Sequence, residues 1–368
     1  MSALTTHLQA VIRNEGPITV ARYMAEALGH PQHGYYATRD PFGTAGDFTT
    51  APEISQMFGE LIGLWCAEMW QRIGRPRPVR LIEFGPGRGT LMADALRAAA
   101  QAMPDFRKAL DLHLIETSPA LRARQSGRLG DAGAHWHDSW DEVPEGPVLA
   151  VANEFLDALP VHQLVRHQGS WRERLVGADA AAAGFCFELS AGDSPAASFL
   201  PGALAASAGA LPDGNIVEVR PAAVELARAL GARIAGFGGA ALVIDYGHGA
   251  SSVGDTLQAV RQHRYADVLA EPGEADLTAH VDFAAFGEAA RAAGAGVHGP
   301  VEQGRFLRLL GIETRAAALA RHATPAQAEA IEQATRRLID PMEMGRLFKV
   351  LALGRAALPP PPGFESTP

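Results

Sequence analysis

A glycine-rich turn between a strand and a helix is the feature that most restricts how this chain can fold. In the stretch VRLIEFGPGRGTLMADALRAAA, residues 79–100, an apolar run is followed by Gly85, Gly87 and Gly89 and then by residues at helical spacing. Glycine adopts positive φ at little cost and lets a bulky ligand approach the main chain. A strand, a glycine turn and a helix in this order predict the opening unit of an α/β fold, with a ligand held at the turn.

The segments that follow continue the alternation of strand and helix. The pattern predicts strands at LDLHLIE, AHWHDS, GPVLAVANE and GGAALVIDYGHG, and helices at SPALRARQSGRLG and AAVELARALGARIAGF. Such alternation is typical of a doubly wound, mostly parallel sheet. The ligand crevice of such a sheet lies at the carboxyl ends of its strands.

The remaining segments surround this core. Residues 1–75 are predicted to form an N-terminal helical cap and lid, and residues 76–357 the main domain. The alternation stops at about 160–219, where strands joined by glycine turns predict an insertion. A helical segment is expected at about 276–310, and the proline-rich tail at 358–368 is expected to be disordered.

Composition narrows the classes of partner. The 368 residues have a net charge of −9 and only two cysteines, which argues against an electrostatic grip on nucleic acid and against a disulfide framework. No apolar stretch is long enough for a membrane span, and the N-terminus has no apolar leader. We therefore expect a cytoplasmic protein. No histidine has metal-ligand spacing that predicts a metal site, and the sequence does not indicate the oligomeric state.

The spacing of the glycines distinguishes between nucleotide ligands. The third glycine comes one position earlier than in a dinucleotide fingerprint, which favours a nucleoside over a pyrophosphate. Glu83 disfavours a phosphate and suits a cationic ligand such as S-adenosylmethionine, and Glu116 can accept hydrogen bonds from two ribose hydroxyls. The predicted cofactor-binding residues are Glu83, Gly85, Pro86, Gly87, Gly89, Thr90, Glu116, Asp138 and Ser139.

Several long blocks make the prediction more specific. HGYYATRDPFGTAGDFTTAPEISQMFGELIG, EFGPGRGTL, NEFLDALPVHQ, VIDYG and ADLTAHVDF resemble, in the same order, blocks of the MidA family of S-adenosylmethionine-dependent methyltransferases. The resemblance implies a Rossmann-like class I methyltransferase fold with an N-terminal helical cap and inserted segments. It also implies methylation of an arginine in a protein substrate, a subunit of respiratory complex I. Because no transit peptide is visible, the mitochondrial setting of part of the family is not expected here.

An arginine acceptor requires carboxylates, because a guanidinium must be held in place and must lose a proton around the time of transfer. ANEFLDALP provides them at the exit of the fourth apolar strand. Glu154 is the predicted guanidinium-binding carboxylate and proton acceptor, with Asn153 and Asp157 helping to orient the acceptor. Asp157 has the alternative of capping or bracing the loop before Pro160.

A second group of residues is predicted to contact the substrate. The glycine-rich block RDPFGTAGDFTTAPE can fold over the crevice as a lid that carries Asp47, Phe48, Thr49 and Thr50. Its alternative is a surface loop in which Thr50 caps the following helix. Asp245 ends the strand of VIDYG and is predicted to orient substrate or to brace the lid.

Two other functions remain open from the sequence. A nicotinamide-dependent oxidoreductase is compatible with the fold and with an acid at a strand end, although the glycine spacing argues against it. A non-catalytic assembly chaperone with a structural S-adenosylmethionine pocket is the second alternative.

Overall fold

The computed structural model describes residues 2–38, 49–179 and 184–365, which form two compact units. One unit is drawn from residues 2–38, 157–179, 184–225 and 250–285. The other is drawn from residues 49–156, 226–249 and 286–365 and is called the sheet unit below, because it holds the central sheet. The first of these two units is called the insert unit.

The helices, in chain order, are α1 Ala3–Glu15, α2 Val20–Gly29, α3 Tyr35–Thr38, α4 Ala51–Ile54, α5 Gln56–Arg72, α6 Thr90–Ala102, α7 Pro104–Arg107, α8 Pro119–Leu129, α9 Gly202–Ser207, α10 Pro221–Phe237, α11 Phe283–Ala292, α12 Gln303–Leu309, α13 Ile312–Ala320, α14 Pro325–Ile339 and α15 Met344–Leu347. Short 3-10 turns lie at Trp140–Glu142, Pro195–Phe199 and Ala208–Ala210.

The strands, in chain order, are β1 Ile18–Thr19, β2 Val79–Phe84, β3 Leu110–Ile115, β4 Ala134–His137, β5 Val148–Asn153, β6 His162–His167, β7 Ser170–Asp179, β8 Gly184–Asp193, β9 Ile216–Val219, β10 Gly239–His248, β11 Gln258–Arg261, β12 Arg264–Ala266, β13 Asp276–Thr278, β14 Val281–Asp282, β15 Ala295–Glu302 and β16 Phe348–Arg355.

The central sheet lies in the sheet unit and has the strand order β15-β16-β10-β5-β2-β3-β4. The pairs from β10 to β4 are parallel, and β16 pairs antiparallel with both β10 and β15. The strand order reverses between β2 and β5, which is the switch point where ligands bind in sheets of this kind. The predicted α/β fold with a mostly parallel sheet is confirmed.

Burial explains why these sequences form the middle of the sheet. Every residue of β5 is buried, and β2 is buried except at Arg80, as expected for parallel strands covered on both faces. Helices α5 and α6 pack their apolar faces into the same core as these strands. Gly63 lets α5 and α6 approach each other closely, because a Cβ on Gly63 would lie 2.6 Å from Cα of Ala95 in α6.

The insert unit has its own sheets and cores. Strands β1, β7, β6 and β9 follow one another in a sheet to which β8 adds through β7, and β11 pairs with β12 and β13 in a second sheet. One apolar core joins α1 and α2 to residues of β7, β11 and β13, and a smaller one surrounds Trp171. The strands predicted for the insertion at about 160–219 are present as β6, β7 and β8, and β9 is a further strand near its end.

Three expectations differ from the structure. The helix predicted to follow Thr50 is interrupted at Ser55, whose extended backbone separates α4 from α5. Residues 276–310 contain α11 and α12 but also β13, β14 and β15, since short apolar runs do not distinguish helix from strand. In the tail, Phe364 packs against Phe306, and the Trp65 indole donates to the Pro362 carbonyl, so residues 358–365 are anchored to the core.

Within the ranges that the structure describes, no helix combines the length and the apolar character needed to cross a bilayer.

Candidate cofactor and acceptor site

The glycine turn lies at the carboxyl end of β2 and leads directly into α6. Gly85, Gly87 and Gly89 have φ of 60°, 52° and 74°, the left-handed region that side chains avoid. Gly89 is the N-cap of α6, and its N–H donates to the carbonyl of Pro86 at 2.7 Å. A Cβ on Gly85 would lie 2.8 Å from the Phe155 ring. The turn therefore requires glycine for its backbone shape and, at Gly85, for space.

Glu83 lies one residue before the end of β2 and is only 3% exposed. Burial raises the pKa of its carboxyl group to about 8. Its Oε2 has no hydrogen-bond partner among the described residues, and the same holds for Oδ1 of Asn153 at the end of β5. A buried carboxylate without a protein donor is costly, and a cationic ligand group would offset that cost.

Glu116 directly follows β3, at the same edge of the sheet. Its Oε1 accepts from the backbone N–H of Ser118 at 2.8 Å, and its Oε2 accepts from Gln125 at 3.2 Å. Burial raises the pKa of this carboxyl, and the hydrogen bonds oppose that shift. The position fits the ribose contact predicted from sequence, and that contact stays a prediction.

Gln125 was missed by sequence reasoning, although it connects two parts of the predicted site. Its side chain is fully buried on α8, and its Nε2 donates to the Gly87 carbonyl at 2.8 Å as well as to Glu116. The indole N–H of Trp136 donates to its Oε1 at 2.8 Å. Leu121, Gln125 and Leu129 recur every fourth residue, and this stripe was the available signal.

Asp138 and Ser139, predicted at the adenine edge, follow β4 and are exposed. The Asp138 carboxylate pairs with Arg122 at 2.5 Å, and its backbone N–H donates to Glu142 at 3.0 Å. Arg122 also donates to the backbone carbonyl of Glu116 at 2.6 Å. Arg122 therefore links the loop after β3 to the loop after β4.

Thr90 is the first residue of α6, and its hydroxyl donates to the carboxylate of Glu53 in α4. Arg88 in the glycine turn lies 3.6 Å from the same carboxylate. Glu53 is a second residue that sequence reasoning missed. Its position in the first turn of α4 places an acid beside the N-terminus of α6, where the helix dipole favours negative charge.

Asn153 and Glu154 lie at the carboxyl end of β5, next to the switch point. Glu154 has a φ of 50°, which is uncommon for a residue with a side chain. Its Oε1 accepts from the backbone N–H of Ala51 at 2.8 Å and from Asn153 Nδ2 at 3.1 Å. Glu154 thus satisfies the first N–H of α4, while Thr50, at the N-cap position, makes no side-chain cap bond.

Asp245 is fully buried on β10, beside β5. Its Oδ2 accepts from the backbone N–H groups of Phe155 and Leu156 at 3.2 and 2.9 Å, and its Oδ1 accepts from the N–H of Tyr246 at 2.9 Å. These contacts brace the loop after β5. From sequence, Asp245 was predicted to orient substrate or to brace the lid. These three contacts brace the loop after β5 instead, and a role toward substrate or lid stays a prediction.

Asp157 lies in the insert unit and is 6% exposed. Its backbone carbonyl accepts from the Ala279 N–H at 3.1 Å and from the Arg220 guanidinium at 3.2 Å. Arg220 also donates to the carbonyls of Leu159, Ala279 and His280. The loop that starts at Asp157 is therefore braced through its backbone. The two roles predicted for the Asp157 side chain, orienting the acceptor or capping this loop, both stay predictions.

Of the predicted lid residues, Asp47 and Phe48 lie outside the described residues. Thr49 is half-buried and Thr50 is buried just before α4. Substrate contact by these four residues stays a prediction.

One histidine cluster of the insert unit has ligand atoms close enough for a metal ion, at His7, Glu26 and His30. Nδ1 of His30 accepts from the backbone N–H groups of Gln32 and His33, both at 3.2 Å. This nitrogen is thus committed to the turn that follows α2.

The sheet unit therefore gathers most of the predicted residues at the carboxyl ends of β2, β3 and β5. The turn at Gly85–Gly89 has a backbone shape that requires glycine, Glu83 offers a buried carboxylate to a cation, and Glu116 offers one to hydroxyl groups. S-adenosylmethionine carries an ammonium group, a sulfonium and a ribose, and the residues present fit it. The fold and site define a nucleoside-binding α/β protein of the methyltransferase class.

Comparison with known proteins identifies the family. Residues 61–301 match the family described as "Putative S-adenosyl-L-methionine-dependent methyltransferase", and the chain belongs to it. The chain is 39% identical to "Protein arginine methyltransferase NDUFAF7 homolog, mitochondrial" of Drosophila melanogaster, an alignment that covers 95% of this chain and 84% of the relative. It is 36% identical to the Homo sapiens protein arginine methyltransferase NDUFAF7, over 96% and 83% of the two chains.

A solved structure agrees with the family. The protein from Burkholderia thailandensis, bound to S-adenosyl-homocysteine, is 33% identical to this chain, with a TM-score of 0.83. The match covers 98% of this chain and 94% of that one. This protein is an S-adenosylmethionine-dependent methyltransferase, and the predicted family, enzyme class and cofactor are confirmed. The nicotinamide alternative is thereby removed.

The prediction of a cytoplasmic protein is wrong by the same comparison, because the curated relatives are mitochondrial proteins. That prediction rested on composition and on the N-terminal residues alone, and these say little about the compartment of a family.

Proposed function

We propose that this methyltransferase modifies an arginine side chain of a protein, and that the protein is a subunit of respiratory complex I. The proposal is carried by the identity of 35–39% over nearly the whole chain with relatives named protein arginine methyltransferases. The complex I subunit follows from the family resemblance in the sequence blocks. We expect methylation to precede assembly, while the acceptor arginine of the subunit is still exposed.

The carboxylate that we assign to the acceptor is Glu154. It directly follows β5, beside the turn predicted to hold the cofactor, and its left-handed backbone is held by the N–H of Glu154 donating to the Ile244 carbonyl at 2.9 Å. S-adenosylmethionine supplies a methyl group on a sulfonium, and the chain has to align the acceptor and receive its proton. The hydrogen bonds from Asn153 Nδ2 and Ala51 N–H hold this carboxylate in place, which supports the proposal.

The substitution Glu154→Gln separates the chemistry from the fold. Gln retains an oxygen that can accept from Ala51 N–H, so we expect a folded protein with nearly unchanged affinity for S-adenosyl-homocysteine. Loss of the negative charge should lower methyl transfer by roughly two to four orders of magnitude. The matched control is Glu145→Gln, at an exposed glutamate of the same unit. Normal turnover of Glu154→Gln at saturating substrate would place the acceptor carboxylate elsewhere.

The substrate is identified by incubating the protein and methyl-labelled S-adenosylmethionine with a cell lysate. The lysate comes from the cells in which this protein occurs, after removal of its gene. We expect label on one arginine of one complex I subunit, located by mass spectrometry. Label on another residue type contradicts the arginine proposal, and label on an unrelated protein contradicts the complex I proposal. Cofactor binding with no labelled protein contradicts both proposals about the substrate.

A further inference from the structure

The side chain of Gln125 connects three segments of the cofactor site. The Trp136 indole N–H can only donate and the Gly87 carbonyl can only accept, so the two together fix which end of the Gln125 amide is oxygen and which is nitrogen. The Nε2 group then has two N–H donors, one for Gly87 and one for Oε2 of Glu116. Every polar atom of this fully buried side chain is used.

The burial of Gln125 is exceptional for its helix. Leu121 and Gln125 are the buried residues of α8, and most of the others are exposed arginines, small residues or polar residues. A buried amide is stabilising only when its partners are all present, and removing one leaves costly unpaired groups. An apolar residue would fill this position on the helix stripe without that requirement, so packing alone does not explain a glutamine here.

We infer that Gln125 is a positioning residue for the cofactor, which orients the Glu116 carboxylate toward the ribose hydroxyls and fixes its distance from the glycine turn. The inference rests on the assignment of Glu116 to the ribose. Gln125 is a side chain behind the carboxylate, and it acts through Glu116 and the Gly87 carbonyl. Arg122 on α8 supports the same loop from its other side, through the Glu116 backbone carbonyl.

The test measures how much the ribose hydroxyls contribute to the affinity for the ligand. Dissociation constants are determined by calorimetry for S-adenosyl-homocysteine and for its 2′,3′-dideoxy analogue. Hydrogen bonds to a charged group predict that the wild-type protein prefers the hydroxylated ligand by roughly ten- to hundredfold. A residue that only supports folding would change the affinity for both ligands equally and leave their ratio unchanged.

Gln125→Leu removes the two donors at similar volume. We expect the preference for the hydroxylated ligand to fall to within about threefold of unity, as expected when an oriented carboxylate is lost. If this variant does not fold, Gln125→Glu keeps the shape and the acceptor for Trp136 but directs a carboxylate at Glu116, and the same loss of preference is expected. The control Ser126→Ala, at the exposed neighbour on α8, should keep the wild-type ratio.

A further variant distinguishes this inference from the site on which it rests. Glu116→Ala should abolish the preference. If it does and folded Gln125 variants keep the full preference, Gln125 is not a positioning residue while the ribose assignment stands. If Glu116→Ala itself keeps the preference, the assignment of Glu116 to the ribose is wrong, and the inference about Gln125 is wrong with it.

Discussion

Glu83 should make cofactor affinity depend on pH, and its burial gives the direction. A carboxyl group with a pKa of about 8 is mostly protonated at neutral pH. If its carboxylate binds the cofactor ammonium, binding has to release the proton first. Roughly one carboxyl in ten is ionised at about pH 7, which weakens the apparent affinity roughly tenfold relative to the ionised state.

Calorimetry with S-adenosyl-homocysteine measures this dependence. Between about pH 5.5 and 7.5, where the ligand amine stays mostly protonated, we expect the dissociation constant to fall roughly tenfold per pH unit. Titrations in buffers of different ionisation enthalpy should show about 0.9 proton released per ligand at about pH 7. Glu83→Gln should bind more weakly at the upper end of this range and show a flat profile, whereas Glu313→Gln, at an exposed glutamate, should follow the wild type.

The same pKa affects the stability of the ligand-free protein with the opposite sign. Between the ordinary pKa of 4.5 and the folded value of about 8, the folded state keeps a proton that the unfolded chain releases. The free energy of unfolding therefore decreases as pH rises, by about 1.4 kcal/mol per pH unit and up to about 5 kcal/mol across the window. Glu83→Gln should lose this contribution, so its stability relative to the wild type should rise with pH. An affinity that does not change with pH, or an unchanged slope in Glu83→Gln, would refute the reasoning.

Two further substitutions test the turn and the loop after β5. Gly85→Ala should destabilise the protein by more than Gly311→Ala and should weaken S-adenosyl-homocysteine binding. Both glycines have positive φ, but only at Gly85 does a Cβ meet a neighbour, the Phe155 ring. Calorimetry and thermal unfolding compare the two variants, and equal effects would contradict the requirement for space at Gly85. Asp245→Asn should lower the free energy of unfolding by roughly 1–3 kcal/mol, because an amide cannot accept from all three backbone N–H groups. Urea unfolding measures this loss, with Asp131→Asn at an exposed aspartate as the control. A loss as small as that of the control would contradict the bracing role.

Sequence predicted the parts of the site that depend on local pattern. Gly85 to Gly89, Glu83 and Glu116 lie at strand ends, and strand ends can be located from apolar runs of five or six residues and the helices between them. Parallel pairing then brings those ends to one edge without any knowledge of distant contacts. The same rule placed Asn153 and Glu154 correctly at the end of β5.

The contacts of the site could not be predicted in the same way, since they join residues far apart in the chain. Glu53 reaches Thr90, and Ala51 reaches Glu154, because α4 lies beside the ends of β2 and β5, a tertiary arrangement with no local signature. The division of the chain into two units could not be predicted from sequence either. Residue 157 starts a segment of the insert unit only four residues after β5 ends, and nothing in the sequence ANEFLDALP marks that boundary.

The loop after β5 shows how the fold holds in place the carboxylate that we propose for the acceptor. Glu154 occupies a left-handed backbone conformation that costs about 1 kcal/mol or more for a residue with a side chain. Asp245 accepts from the next two N–H groups, and the Phe155 ring packs against Phe84, with centroids 5.6 Å apart, at the place where Gly85 has no side chain. The cost is therefore offset by contacts from β10 and β2, the two strands that flank β5. If the cofactor binds at the neighbouring turn as we propose, a mobile loop would bring a carboxylate to the crevice as well, but only a braced loop would keep it aligned with the methyl donor.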